Sequence, residues 1–126
     1  MEKKIIKTIN APDPIGPYSQ AVLSGNVLYI SGQVAINPAN GNIEATDTAG
    51  ETEQVMQNLK AILTEAGMDF SNTVKTTIFL SDMSLFATVN EVYGKYFTTE
   101  FPARETVAVK GLPKNVNVEI SMIATR

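Results

Sequence analysis

The chain contains no cysteine, no histidine and no tryptophan in its 126 residues. Without cysteine there can be no disulfide, thiol nucleophile, iron–sulfur cluster or thiolate zinc site. Without histidine there is no Ser-His-Asp triad, no imidazole base and no imidazole metal ligand. Any chemistry must therefore use carboxylates, hydroxyls, lysine, arginine or the backbone.

Positive charge is also scarce. Ten Lys+Arg stand against 13 Asp+Glu, and the only arginines are Arg104 and Arg126. This balance argues against a basic face that binds nucleic-acid phosphates. Lys7 interrupts the N-terminal apolar run before a signal-peptide core can form, and no run approaches the ~18 apolar residues of a membrane span. We therefore expect a cytoplasmic protein that binds neither membranes nor nucleic acid.

The length is typical of one domain, since domains cluster near ~100–150 residues. Apolar residues make up 44% of the chain and are evenly spread, with no repeat and no linker. The carboxylates are scattered, so no metal site is indicated, and no glycine-rich phosphate loop precedes a helix. The sequence predicts a single domain over residues 1–126.

Hydrophobic periodicity predicts an α+β fold in which two helices cover one face of a mixed sheet. Thr48 and Glu51 match a capping box at the start of the first helix. Asp82 is a candidate cap for the second. The expected strands are 20–23, 27–30, 74–80, 104–109 and 116–125, with a further segment at 4–9, and the expected helices are 49–66 and 82–97.

The second face of this sheet is expected to be partly apolar. The strand at 27–30 has apolar residues on both sides, and the strand at 74–80 is apolar on one side and mixed on the other. Two helices can bury only one face, and an open, half-apolar face usually meets a partner. We therefore expect the protein to oligomerise through the sheet.

Alternation along the last two strands gives the strongest candidate site. The even-numbered positions of 116–124 are apolar, so Glu119 faces the other way. Val107 looks like a core residue, which directs Arg104 and Thr106 away from the core. If the two strands pair, these three side chains meet on the open face, where the guanidinium could hold a carboxylate and Glu119 could activate water. An ordinary Arg104–Glu119 salt bridge is the alternative. By the same alternation, Glu105 should point away from the cluster.

Three other segments could contribute to a site. The proline-rich stretch 12–20 is a stiff loop that could hold Tyr18 over a ligand, although a packed loop aromatic explains it equally well. Ser31 precedes Gly32, which would permit close backbone approach or simply a tight turn. Asn90 lies on the second predicted helix and could reach a cleft or be exposed.

Six segments in order resemble the RidA (YjgF) family of reactive intermediate deaminases over essentially the whole chain. They are Ala11-Pro-Asp-Pro-Ile-Gly-Pro-Tyr-Ser-Gln20, Tyr29-Ile-Ser-Gly-Gln33, Val74-Lys-Thr-Thr-Ile-Phe-Leu80, Phe86-Ala-Thr-Val-Asn90, Phe101-Pro-Ala-Arg104 and Val118-Glu-Ile120. The resemblance implies a chorismate-mutase-like fold and a homotrimer with clefts between subunits.

The resemblance further implies cofactor-free hydrolysis of imines and enamines, such as 2-iminopropanoate and 2-aminoacrylate, to 2-keto acids and ammonium. Pyridoxal-phosphate-dependent dehydratases would supply these substrates. Arg104 would hold the substrate carboxylate, Glu119 would orient or activate water, and Tyr18 would line the cleft. The remaining substrate contacts implied are Ser31, Gly32, Asn90 and the backbone around Thr106.

Two positions depart from the family pattern. Many members have cysteine where this chain has Thr106, so a thiol cannot be required here. A small residue usually follows the arginine, whereas this chain has Glu105, which would repel a carboxylate substrate if it turned into the cleft. Besides the deaminase, the alternatives are a regulatory module that binds small carboxylates and a ribonuclease acting as a translation inhibitor, which the acidic balance disfavours.

Overall fold

The computed structural model describes residues 2–126 as one six-stranded sheet with two α-helices. Three short 3-10 helices precede β4, α2 and β6. In chain order the elements are β1 Lys3–Ile6, β2 Ala21–Ser24, β3 Val27–Gln33, α1 Thr48–Glu65, β4 Thr73–Leu80, α2 Phe86–Gly94, β5 Ala103–Ala108 and β6 Val118–Thr125.

The strand order is β1-β2-β3-β6-β4-β5, in which only β4 and β5 run parallel. The expected α+β class, with a mixed sheet, is confirmed. The expected pairing of the last two strands is wrong, because β4 lies between β5 and β6. The connection between β5 and β6 carries the chain past β4. Strand β6 therefore occupies a central position in the sheet, where its apolar side chains are fully covered.

The core lies between the sheet and the helices. Burial alternates along β6, whose inward residues are Val118, Ile120, Met122 and Ala124. The helices pack against each other as well as against the sheet, so both cover the same face, as predicted. The matching stripe of α1 comprises Val55, Leu59, Ile62 and Leu63.

The start of α1 differs from the expected capping box. Asp47 is the N-cap, and its carboxylate accepts a hydrogen bond from the Gly50 N–H at 2.7 Å. Glu51 instead turns inward, where it accepts from the backbone N–H groups of Asn117 and Val118 at 2.6 and 2.9 Å. A buried carboxylate must find donors, and β6 supplies them at its start.

Helix α2 is shorter than predicted. Asp82 caps a 3-10 turn by accepting from the Ser84 N–H, and the α-helix begins only at Phe86. It ends at Gly94, three residues before the expected end at Phe97. The 3-10 turn absorbs the first predicted helical turn, which is common at helix ends.

The other side of the sheet, the open face, exposes apolar side chains. Tyr29 of β3 is 50% exposed, Val74 of β4 is 46% exposed and Val107 of β5 is 43% exposed. Large contiguous apolar surface is unusual on a monomer and marks an interaction surface. Oligomerisation through this face stays a prediction. Among residues 2–126, no helix has the length and apolar character needed to cross a bilayer.

Candidate functional site

The first part of the site is a pocket of about 370 Å³, here called the Glu119 pocket. It lies where the loop of residues 12–18, here called the proline loop, crosses β3 and β6. The pairing register between β3 and β6 shifts between Ile30 and Gln33, so a bulge places the intervening residues beside the pocket. The side chains and backbone that carry the argument are Asp13, Ile15, Tyr18, Ser31, Gly32 and Glu119.

Glu119 is half-buried, and this burial raises the pKa of its carboxyl above the ordinary value. Gly32 makes room for it, because a Cβ at that position would lie 2.4 Å from the Glu119 Oε2 atom. The glycine is thus needed for close approach of the carboxylate to the β3 backbone. A carboxylate that is less acidic than usual and opens into a pocket is a candidate general base.

Tyr18 and Ser31 are fixed beside this carboxylate by local hydrogen bonds. The Ile15 N–H donates to the Tyr18 hydroxyl at 3.2 Å, and the ring remains 48% exposed. The Ser31 hydroxyl donates to the Ser19 carbonyl at 2.6 Å. Since its hydrogen is committed, Ser31 offers a ligand the lone pairs of its oxygen.

The second part of the site is a pocket of about 400 Å³ at the β5 edge of the sheet, here called the Arg104 pocket. The Arg104 Nη1 donates to the Asn90 Oδ1 at 2.7 Å. The guanidinium also lies over the rings of Phe86 and Tyr93, at 5.6 and 5.1 Å from their centroids. These contacts hold the guanidinium in place and leave other N–H groups to bind an anion bidentately.

Tyr93 supports the guanidinium from a buried position. Its hydroxyl shares a 2.9 Å hydrogen bond with Thr76 of β4. Burial raises the pKa of the Tyr93 phenol, while the bond to Thr76 and the charge of Arg104 oppose that effect. The phenol therefore stays neutral beside the cation.

Thr106 follows Arg104 by two residues on β5 and so shares its face. Its hydroxyl oxygen is buried and finds no hydrogen-bond partner within residues 2–126. A buried polar atom without a partner is costly, and such atoms occur where a ligand or another chain supplies the missing group.

The two pockets lie on opposite faces of the sheet, which contradicts the predicted cluster of Arg104, Thr106 and Glu119. Register places Glu119 beside Phe79 on the open face, whereas Arg104 lies beside the buried Thr76 under α2. The prediction failed because it took Val107 as a core residue. On this edge strand the valine faces the apolar open face instead. The alternative Arg104–Glu119 salt bridge within one chain is excluded for the same reason.

Glu105 points away from Arg104, as predicted, and occupies the open face. Its carboxylate contacts the Lys75 Nζ at 3.1 Å and accepts from the Thr77 hydroxyl at 2.5 Å. These bonds lower the pKa of the Glu105 carboxyl, the bond to Thr77 most strongly. The residue therefore does not repel an anion at the Arg104 guanidinium.

Sequence reasoning missed several residues of the two pockets. Asp13 and Ile15 line the Glu119 pocket, and Phe101 and Pro102 line the Arg104 pocket. The sequence signal that could have identified them is a large apolar residue next to proline or glycine: Ile15 lies between Pro14 and Gly16, and Phe101 precedes Pro102. Both are about two-thirds exposed, at 65% and 66%.

Two further observations limit where chemistry can occur. A wider depression of about 530 Å³ on the surface of α1 is lined mainly by amide and hydroxyl side chains, with Lys60 and Glu65 as its only charged residues. Within residues 2–126, no three acidic side chains come close enough to hold a metal ion. The fixed guanidinium and the carboxylate of raised pKa lie in the two pockets described above.

The chain matches known proteins over almost its whole length. The family model described as endoribonuclease L-PSP matches residues 8–126. A human 2-iminobutanoate/2-iminopropanoate deaminase is 46% identical over 122 residues, which are 97% of this chain and 89% of that protein.

Two solved structures are similar to this one. The E. coli YjgF gene product superposes with a TM-score of 0.93 at 46% identity, covering 98% of both chains. E. coli TdcF with bound serine also gives a TM-score of 0.93, at 41% identity and 98% coverage of both chains. The chain therefore belongs to the endoribonuclease L-PSP family, the RidA (YjgF) family that its six sequence segments resemble.

Proposed function

We propose that this protein hydrolyses reactive imines and enamines derived from small amino acids to 2-keto acids and ammonium. The observation that carries the proposal is that one chain holds two complementary pockets, one with a fixed guanidinium and one with a half-buried carboxylate. The similarity to a deaminase of similar length supports it. The bound serine in the TdcF structure supports a small amino-acid-like ligand.

The Arg104 pocket would bind the substrate carboxylate. The guanidinium is oriented by Asn90 and by two aromatic rings, so little ordering is needed when an anion binds. The unpartnered hydroxyl of Thr106 would gain a hydrogen-bond partner from the same ligand. Fixing the carboxylate in this way presents the neighbouring iminium carbon in one orientation.

The Glu119 pocket would supply the base. The ionised carboxylate takes a proton from water as the oxygen attacks the iminium carbon, which gives a carbinolamine. The proton then passes from Glu119 to the nitrogen. As the C–N bond breaks, the hydroxyl gives its proton to Glu119 and becomes the carbonyl of the 2-keto acid, and the departing ammonia takes up that proton to leave as ammonium. The iminium carbon is already electrophilic, so orientation and proton transfer suffice, and neither histidine nor cysteine is needed.

A substrate that meets both pockets must lie between two copies of the chain. Within one chain the pockets occupy opposite faces with β4 between them. An assembly through the apolar open face, a homotrimer by family resemblance, would bring the Arg104 pocket of one copy to the Glu119 pocket of its neighbour. The substrate would come from a pyridoxal-phosphate-dependent dehydratase acting on serine or threonine.

The activity is tested by trapping. A serine dehydratase generates 2-aminoacrylate in the presence of semicarbazide, which competes with water for the imine. Added protein should raise pyruvate and lower the semicarbazone in proportion to its concentration. An unchanged ratio at equimolar protein contradicts the proposal. Titration calorimetry with 2-keto acids and an RNA-cleavage assay on the same preparation would then show whether the regulatory or the ribonuclease alternative applies.

The shared site is tested by mixing two inactive variants. Glu119→Gln keeps the arginine, and Arg104→Ala keeps the carboxylate. After the two are unfolded and refolded together, random assembly should restore about a quarter of the wild-type activity, because that fraction of sites has both groups intact. If each site lies within one chain, the mixture stays as inactive as its components.

A further inference from the structure

We infer that the buried side chain of Gln20 is a positioning residue that fastens the proline loop across the Glu119 pocket. Gln20 is only 2% exposed and precedes β2 directly. Its side chain lines the Glu119 pocket, but its hydrogen bonds go to the backbone and to neither Glu119 nor Arg104. The sequence placed it at the end of the proline-rich stretch 12–20 and at the start of a strand, but assigned it no role.

Every polar atom of the Gln20 amide is used, and each bond reaches the same segment of chain. The oxygen accepts from the Thr8 N–H at 2.8 Å. The two N–H groups of the nitrogen are shared among the carbonyl oxygens of Thr8, Ala11 and Pro12, at 3.0, 3.2 and 2.9 Å. The amide thus holds four backbone groups that would otherwise be unpaired in or near the core.

The proline loop has few other hydrogen bonds to fix it. Within residues 13–18, the Tyr18 N–H donates to the Gly16 carbonyl and the Ile15 N–H donates to the Tyr18 hydroxyl, and both bonds are internal. They shape the loop but do not attach it to the sheet. The attachment at its start is made by Gln20, through Ala11 and Pro12.

The same residue also holds the other wall of the pocket. Its backbone carbonyl accepts from the Ser31 N–H at 3.0 Å. Ser31 in turn donates through its hydroxyl to the Ser19 carbonyl. One residue therefore fixes the loop on one side of the Glu119 carboxylate and the bulged part of β3 on the other.

The consequence for the site is that Gln20 controls how much water reaches Glu119. The titratable groups around the pocket are Asp13 and Tyr18 of the proline loop, and Lys114 of the segment before β6. If the loop detaches, Glu119 becomes hydrated, and its pKa should return towards the ordinary value.

The test compares Gln20→Met with Asn72→Leu. Methionine fills the space of the glutamine without its hydrogen bonds. Asn72 is the matched control, because its amide also accepts from one backbone N–H, that of Asp69, and donates to one carbonyl, that of Thr125. It is remote from both pockets. Amide hydrogen exchange of residues 13–18 and a carbon-13 NMR titration of the Glu119 carboxyl are measured for both.

Gln20→Met should speed exchange of residues 13–18 by at least about tenfold relative to the rest of the chain and lower the pKa of Glu119. Asn72→Leu should change neither. If Gln20→Met leaves both readouts at their wild-type values, or if Asn72→Leu shifts them equally, the assignment is wrong.

A second variant covers the case in which Gln20→Met does not fold. Gln20→Glu keeps the acceptor for the Thr8 N–H, and its carboxyl can donate only when protonated. Protection of residues 13–18 should then be lost as the pH rises, and pH-independent protection would overturn the inference.

The inference rests on the proposed function only for its effect on turnover. When the loop detaches, the acidic limb of the profile of kcat/KM against pH should move to lower pH. The exchange and NMR readouts need no substrate, so they remain decisive even if imine hydrolysis is not found.

Discussion

The Glu119 pocket and the Arg104 pocket are built in opposite ways. The Arg104 guanidinium is enclosed by α2, where residues at helical spacing supply an amide oxygen and two aromatic faces. Glu119 is surrounded by a proline-rich loop and a bulged strand, and its carboxylate is given space rather than partners. The Arg104 pocket gives its guanidinium a hydrogen-bond acceptor and two aromatic rings. In the Glu119 pocket, burial disfavours the charged form of the carboxylate.

This difference matches the tasks that the two groups would perform. A binding group works best when its geometry is fixed before the ligand arrives, because less entropy is lost on binding. A base works best when its pKa lies closer to the working pH, which requires that donors and water be kept away from it. The predictions below test each pocket separately, in order of decreasing effect.

Replacement of Glu119 should have the largest effect on activity. Glu119→Gln keeps the shape but removes the base, and general-base catalysis contributes about 10²–10⁴-fold. We expect kcat to fall by that factor with little change in KM. The measurement is the trapping assay with a dehydratase-generated imine, and the matched control is Glu65→Gln on the exposed side of α1. Wild-type kcat in Glu119→Gln would remove the carboxylate from the mechanism.

Replacement of Arg104 should cost less and change a different constant. Loss of the charge-assisted contact to a carboxylate should cost about 1.5–3 kcal/mol in all, so kcat/KM should fall about 10- to 150-fold, mainly through KM. The other arginine provides the control, since Arg126 is exposed at the chain end. Kinetics of Arg104→Ala and Arg126→Ala on the same imine separate a specific clamp from general loss of positive charge. Equal losses in both variants would argue against the clamp.

Gly32 should affect activity only through the position of the Glu119 carboxylate, which lies against it. In Gly32→Ala the added Cβ would overlap the Glu119 carboxylate, whose flexible end must rotate away. Activity should fall about tenfold or more, while stability should fall by only about 1 kcal/mol. The check is kcat together with chemical denaturation. A large loss of stability with normal kcat per folded molecule would show that the glycine serves packing and leaves the carboxylate in place.

Much of this fold could be predicted from local patterns. The hairpin between β2 and β3 was indicated by Ser24-Gly25-Asn26, and Gly25 indeed has a positive φ of 60°. Helix α1 was indicated by its apolar stripe and by Gly67, whose φ of 72° ends the helix. These features depend on neighbours in sequence, so they can be read from sequence.

The arrangement of the site could not be derived in the same way. Which strand lies next to β5 depends on how the connection before β6 crosses the sheet, and that is a long-range choice. The face of the sheet on which Arg104 lies depends on that choice. The sequence of β5 does not decide it, because Val107 is equally compatible with a helix-covered face and an apolar open face. The resemblance to the family named these residues as one set. Their division between two pockets is visible only in three dimensions.

The smallest expected effect concerns stability, and it distinguishes the pockets without any substrate. Burial raises the pKa of Glu119 in the folded protein, so its contribution to stability is complete below the unfolded pKa and is lost as the pH rises through the folded value. At pH 7 the wild-type protein therefore carries a half-buried charge that Glu119→Gln lacks. The variant should have a slightly higher Tm at pH 7, and the gain should shrink as the pH falls through the raised pKa towards 4. Arg104→Ala should show no such pH dependence, because the guanidinium stays charged throughout this range. Thermal unfolding of both variants from pH 4 to 8 measures this, and an equal or lower Tm for Glu119→Gln at pH 7 would mean that the pocket solvates its carboxylate after all.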